Sequence, residues 1–220
     1  MQRRLVILLV GLTLICAWGA GRVQAQGSLP QTYSLTVDPA FSIFGPTRVT
    51  IIRDGSKEVV DQFAPPGPGR PKEFHNHIVY DFQAHKVYSK IVSDSSIPCG
   101  VQDYPRPIAP PELDVISGTN ALIHELTQGN APLKPAGTET VNGVPTKVME
   151  VGDKYKVWIA QNGGFLVKVV GPDSEGKATT LIEVKDLSFA KPPASAFTPP
   201  SGCNEVKPRP AQNPRPTSPH

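Results

Sequence analysis

The chain has 220 residues, 25 of them proline, with 22 basic and 19 acidic side chains and a formal charge of +3. That balance excludes the clustered positive field of a nucleic-acid binder, and so many prolines argue against a helical bundle. The length suits one domain able to bury a core without metal support.

Residues 1–25 have the layout of a secretory signal peptide. Arg3 and Arg4 precede an apolar run over 5–17, and Val23-Gln24-Ala25 offers small residues at −3 and −1 of a cleavage site. The run is shorter than the roughly 20 residues of a membrane-spanning helix. Expected localisation is therefore the periplasm or the extracellular space, with the mature chain starting near Gln26. Arg3, Arg4 and Arg22 leave with the leader and no acid does, which takes the formal charge from +3 to zero. Of three cysteines, Cys16 lies in the leader. Ile15 before it is too large for lipoprotein processing. Cys99 and Cys203 remain, and in an oxidising compartment a disulfide is their natural reading. The alternative is two unrelated buried thiols.

Residues 31–41 alternate Tyr33, Leu35 and Val37 with polar neighbours, the period of a strand. RVTIIR and KEVVDQF are split by Asp54-Gly55-Ser56, a strong hairpin signal. Residues 64–71 (APPGPGRP) form a stiff loop. Over 72–93, Phe74, Ile78, Tyr80 and Phe82 make one apolar face and His75, His77, Val79 and Asp81 the other, with a turn at Gln83-Ala84 and a returning strand from Lys86. Residues 98–111 read as a proline-rich loop. The persuasive helix is 119–127, with Leu122, Ile123 and Leu126 at helical spacing, Ser117 or Thr119 as cap and Gly129 as stop. From Gly137 the chain reads as a meander. Strands over 138–141, 146–151, 155–160, 165–170 and 179–189 are separated by Asn142-Gly143, Gly152-Asp153, Asn162-Gly163-Gly164 and a turn at 172–176. Residues 191–200 are a proline-rich exit, and 207–220 a polar proline-rich tail that is expected to be disordered.

These elements predict an α+β chain, mainly antiparallel β, with 26–206 as one domain. Its sheet has thin cover, so it is a closed barrel or a curved sheet with a partly open apolar concavity, and both shapes hold ligands.

GTETVNGVPTKVMEV (137–151), KYKVWIAQNGGFLVKVV (154–170) and TTLIEVKDLSFAKPPASAFTPPSGC (179–203) make a recognisable sequence of units. A hairpin with a central Asn-Gly-x-Pro leads to a Val-Trp-Ile strand, a Gly-Gly turn and a strand ending in Val-Lys-Val. The last strand leaves through Pro-x-x-x-Phe-x-x-Pro-Pro. This arrangement resembles the LolA/LolB-like periplasmic lipoprotein-carrier superfamily. It is also similar to an uncharacterised secreted bacterial subgroup with a Tyr-Asp-Phe-x-x-His turn, here 80–85, and a cysteine pair like Cys99 and Cys203. The resemblance covers about 31–203. It implies a half-barrel whose concave face is apolar and lidded by helices, and carriers of this kind hold acyl chains. Here a single clear helix replaces their several, and the disulfide and the tail are additional.

The expected role is non-catalytic binding of an apolar ligand (an acyl chain, a lipid or a lipidated protein), with Phe41, Phe44, Phe82, Trp158 and Phe165 as candidate lining. The alternative is a protein-interaction or structural module of the envelope, touching a membrane at most peripherally. The chain is expected to be monomeric and to need no cofactor. Trp158 falls on the face of Lys154 and Lys156, to pack under their stems or to mark a binding surface. A third reading is a metal site at His75 and His77, two apart on one strand face, with Asp81 or His85 as a further ligand. Catalytic motifs are missing. There is no Gly-x-Ser-x-Gly elbow. Glu112, Asp114 and His124-Glu125 lack partners at useful spacing, and Gln128 stands where a zincin needs its second histidine.

Overall fold

The computed structural model of the chain describes residues 30–40, 47–67, 70–104, 114–127, 131–173 and 175–205. The expected leader (1–25), Phe41, Phe44, Glu112, Gly129 and the expected tail (207–220) lie outside them.

Alternating side chains and two-residue turns build the first half as a meander. The strands are β1 (Thr32–Ala40), β2 (Thr47–Asp54), β3 (Lys57–Ala64), β4 (Phe74–Asp81) and β5 (Lys86–Ile91), each antiparallel to the next. The Asp-Gly signal is realised as the Gly55-Ser56 turn between β2 and β3, with Gly55 at φ +57°. The expected loop over 98–111 contains a strand, β6 (Gly100–Asp103), antiparallel to β5. The helix forms over the predicted span, α1 (Thr119–Thr127).

The second half contributes β7 (Leu133–Val141), β8 (Val144–Val151), β9 (Tyr155–Ala160), β10 (Leu166–Pro172) and β11 (Ala178–Ser188), followed by a one-turn 3-10 helix (Ala194–Phe197) and a two-residue strand, β12 (Asn204–Glu205). Asn142 and Gly143 take positive φ between β7 and β8, as a type I′ hairpin requires. β7 starts five residues before the expected strand and includes Pro135, which an edge strand tolerates.

The twelve strands of the described residues join one sheet, in the order β12-β6-β5-β4-β3-β2-β1-β11-β10-β9-β8-β7. It is curved and unclosed. Register shifts in the β1–β11, β9–β10 and β10–β11 ladders bend the strands. The bend brings the β7–β8 turn back over the sheet. Asn142 Nδ2 donates to Glu183 Oε1 at 3.1 Å and to Val184 O at 2.9 Å, on a strand four places away in the sheet.

Three apolar clusters hold the sheet. The largest joins Tyr33, Leu35, Ile51, Val60, Phe165 and Val184 to Val115 and Ile116 of the segment leading into α1. A second packs Leu122, Ile123 and Leu126 of α1 against Met149, Val157, Ile159 and Val169. A third places Phe197 on Val59 and Val79. Cys99 and Cys203 form the predicted disulfide, which sets Asn204 beside Gly100 and so starts the parallel β12–β6 pairing. Such a bond persists in an oxidising compartment such as the periplasm, the expected localisation.

Candidate functional site

Cross-strand register assembles a polar row that the spacing of single residues did not reveal. Tyr33 stands opposite Arg53, Arg53 opposite Glu58, and Glu58 opposite Tyr80. The next row on the same face is apolar: Leu35, Ile51, Val60 and Ile78. Alternation within each strand puts both rows on one side.

The segment 114–127 lies over this corner. Asp114 shapes its start by accepting the amides of Ile116 (3.0 Å) and Ser117 (3.3 Å) on Oδ1, a local Asx-type turn. Its Oδ2 accepts the Tyr33 hydroxyl. Arg53 Nη1 donates to Glu58 Oε2 at 2.8 Å and to Ser117 Oγ at 3.0 Å, and it lies 3.8 Å from Asp114 Oδ2. The guanidinium stacks on Phe82, 4.8 Å from the ring centroid, and Phe82 stacks on Tyr80. Burial, helped by Asp114, drives the Tyr33 hydroxyl far above the ordinary phenol range. Burial, then Tyr104 and Glu58, push Tyr80 up to about 12. Asp114, without a sequence-spaced partner, therefore has spatial ones in Tyr33, Arg53 and Ser117. Ser117 is spent on this network and does not cap α1. Thr119 donates to Val115 O and accepts the amide of Leu166 at 3.0 Å, so it ties the helix start to β10.

His75 and His77 do share a face, but they converge on Asp61 rather than Asp81. His75 Nε2 is 3.2 Å and His77 Nδ1 2.9 Å from the same oxygen, Asp61 Oδ1. Asp81 accepts the Ala84 amide and faces Lys57 at 3.8 Å. Both ring nitrogens reach one carboxylate oxygen, each donating to it in the tautomer that carries its N–H. Among the described residues no group of three His, Cys, Asp or Glu is placed to hold a metal ion. Burial raises the Asp61 carboxyl, but the bonds from His77 and His75 outweigh it and hold the group below its usual range.

Of the candidate lining, Phe82 belongs to the polar corner and Phe165 is core, edge-on to Phe189. Trp158 is 6% exposed. It packs beneath Lys156 and Lys168, 5.2 and 5.5 Å from its ring centroid, rather than beneath Lys154, and its indole N–H donates to Glu139 Oε2 of β7 at 2.8 Å. Trp158 and Phe165 belong to the same core cluster, against which Tyr80, the stacking partner of Phe82, is packed. His124 and Glu125 are exposed on α1. The groups assembled here hold the chain together, and none is set as a nucleophile beside a base.

The two edges of the sheet are unequal. β12 has two residues and is fastened by the disulfide. β7 has nine residues, and positions 134–140 are all exposed. In a two-residue hairpin Val141 and Val144 are the first hydrogen-bonded pair, so Thr140 and Thr138, opposite Pro145 and Lys147, direct their backbone groups away from β8.

Fold and site together define an α+β chain built on a curved, unclosed, mainly antiparallel sheet with one long edge, β7, that no further described strand pairs. No protein-family model matches it, and no curated protein does. Among solved structures, the crystal structure of MucB is similar, at TM-score 0.41 and 13% identity over 81% of this chain and 61% of that one. The complex structure of Pseudomonas aeruginosa MucA/MucB is similar at 0.37 and 13%, over 83% of this chain and 61% of that one. An uncharacterized conserved protein from Thermus thermophilus is similar at 0.43 and 12%, over 81% and 91%. The chain spans about three fifths of the length of the MucB chain. Likeness at this level leaves function to the chain's own residues.

Proposed function

We propose that the chain is a non-catalytic module of the envelope that meets a protein partner through the free edge β7. The observation that supports this reading is the edge itself, with the outward backbone groups of Thr138 and Thr140 open to an added strand. Lys134, Pro135 and the register shift between Pro135 and Gly137 blunt the start of β7. Pairing is thereby confined to 137–141, where a short extended segment of a partner continues the ladder.

The apolar-ligand reading requires more rearrangement. The apolar row Leu35, Ile51, Val60 and Ile78 is part of a cluster already occupied by Val115 and Ile116 of the same chain. An acyl chain on that face has to displace the segment first.

Native mass spectrometry of the mature protein, released from its own envelope without detergent, separates the two. A protein–protein complex that survives solvent extraction of lipid agrees with the proposal. A small mass removed by that extraction, on an otherwise partnerless chain, restores the carrier reading.

A further inference from the structure

Two buried carboxyls share one cation beneath the segment 114–127. The side chains of Glu58 and Asp114 are both fully buried, and Arg53, 13% exposed, is 2.8 Å from one and 3.8 Å from the other. Two carboxylates cannot both ionise cheaply beside a single guanidinium in a medium of low dielectric. Glu58 also carries an unfilled requirement. Its Oε2 accepts from Arg53, but its Oε1 has no donor among the described residues. A proton on that carboxyl turns the orphaned acceptor into a donor, and Asp114, across the same guanidinium, is the buried carboxylate that can receive it.

The groups facing Glu58 come from every element around it. They are Tyr33 on β1, Arg53 on β2, Tyr80 on β4, and Asp114 with Ser117 on the segment. Arg53 is the cation of this group. Both tyrosines are held above the ordinary phenol range and stay neutral. Burial, with Asp114 next, pushes the Glu58 carboxyl up to about 8 against the pull of Arg53. Glu58 is thus the carboxyl of this corner that changes charge between mildly acid and mildly alkaline pH.

We propose that Glu58 and Asp114 form a proton-controlled latch on the segment 114–127. With the shared proton in place, Glu58 donates to Asp114, and the segment stays docked over the sheet. When the proton leaves, two negative charges face one guanidinium, the Asp114 anchor is repelled, and Val115 and Ile116 lift from the apolar row of Leu35, Ile51, Val60 and Ile78. The inference is independent of whether β7 receives a partner strand.

Residue-resolved amide exchange on the full mature chain from pH 6 to pH 9, each rate divided by its intrinsic rate, tests it. The reporters are Ile116 and Ser117, bonded to Asp114, and Leu166, bonded to Thr119. Ile51, inside the β1–β3 ladders, is the reference. Protection of the reporters is expected to fall at least tenfold with a midpoint near pH 8, while that of Ile51 holds. In Glu58→Gln the pH 6 protection should persist to pH 9. Constant reporter protection in the natural chain, or the same fall in Glu58→Gln, overturns the latch. Should the variant not fold, carboxyl carbon chemical shifts of Glu58 in the natural chain decide. A titration midpoint near 8 supports the proposal, and one below 6 overturns it.

Discussion

Trp158 and Glu139 are joined across an intervening strand. The indole N–H on β9 donates at 2.8 Å to the carboxylate on β7, over the top of β8. The free edge of the sheet is thereby fastened to the interior by a side chain, with Lys156 and Lys168 above the ring. An edge strand tied to the interior in this way is restrained from fraying.

The chain has two tryptophans, Trp18 and Trp158, and in a chain starting at Gln26 the emission reports this link directly. Glu139→Ala should red-shift that emission and cost about 1 kcal/mol of stability, the usual size for one lost hydrogen bond. Fluorescence spectra with urea unfolding measure both. Unchanged spectra would show that the ring does not depend on Glu139.

The buried carboxyl at Glu58 makes stability depend on pH with a definite sign. Its folded value of about 8 stands above the ordinary 4.5, so the folded chain keeps a proton that the unfolded chain has released between those limits. Stability therefore falls as pH rises through this window and levels off above it. Glu58→Gln should flatten that slope and be the more stable form at pH 8.5. Urea midpoints measured at intervals from pH 5 to 9 check it.

Much of the fold was legible in the chain order of side chains. The alternation of Tyr33, Leu35 and Val37, the Gly55 and Asn142-Gly143 turns, the helix over 119–127 and the Cys99–Cys203 pairing all have local or compartmental causes. β6 was hidden because it forms only where the disulfide and β5 align Gly100. The polar corner was hidden for a different reason. Glu58 sits in KEVVDQF, where Val59 and Val60 make both faces apolar, so alternation cannot say which side Glu58 takes. Asp114 lies 56 positions further along the chain and meets Glu58 only after folding. Asp61 was missed as the partner of His75 and His77 because it arrives across β3 and β4, not along one strand.

Replacing both His75 and His77 by alanine removes the two bonds that hold Asp61 low. The Asp61 carboxyl should then titrate at higher pH than in the natural chain, and the part of the acid-side loss of stability that Asp61 contributes should shrink. Carboxyl carbon shifts read the change. If added zinc, rather than the Asp61 charge, governs the ring resonances in the natural chain, the rings serve as ligands after all.

The Cys99–Cys203 bond closes a sequence separation of 104 residues. Replacing both cysteines by serine should lower stability by about 2–4 kcal/mol. Amide exchange should increase first at Asn204, which donates to Cys99 O at 2.9 Å, and along β6. Equal loss of protection throughout the sheet would place the contribution in the unfolded chain alone.

Site-specific photo-crosslinking in the native envelope tests the edge-strand account most directly. A reactive side chain is placed in turn at Thr138 and Thr140 on β7 and, as control, at the exposed Glu175 in the β10–β11 turn. The account predicts one defined protein adduct from both β7 positions and none from Glu175, and loss of the Thr140 adduct when Thr138→Pro removes an outward amide. Adducts from Glu175 alone, or an adduct at Thr140 that Thr138→Pro leaves intact, would contradict strand addition at β7.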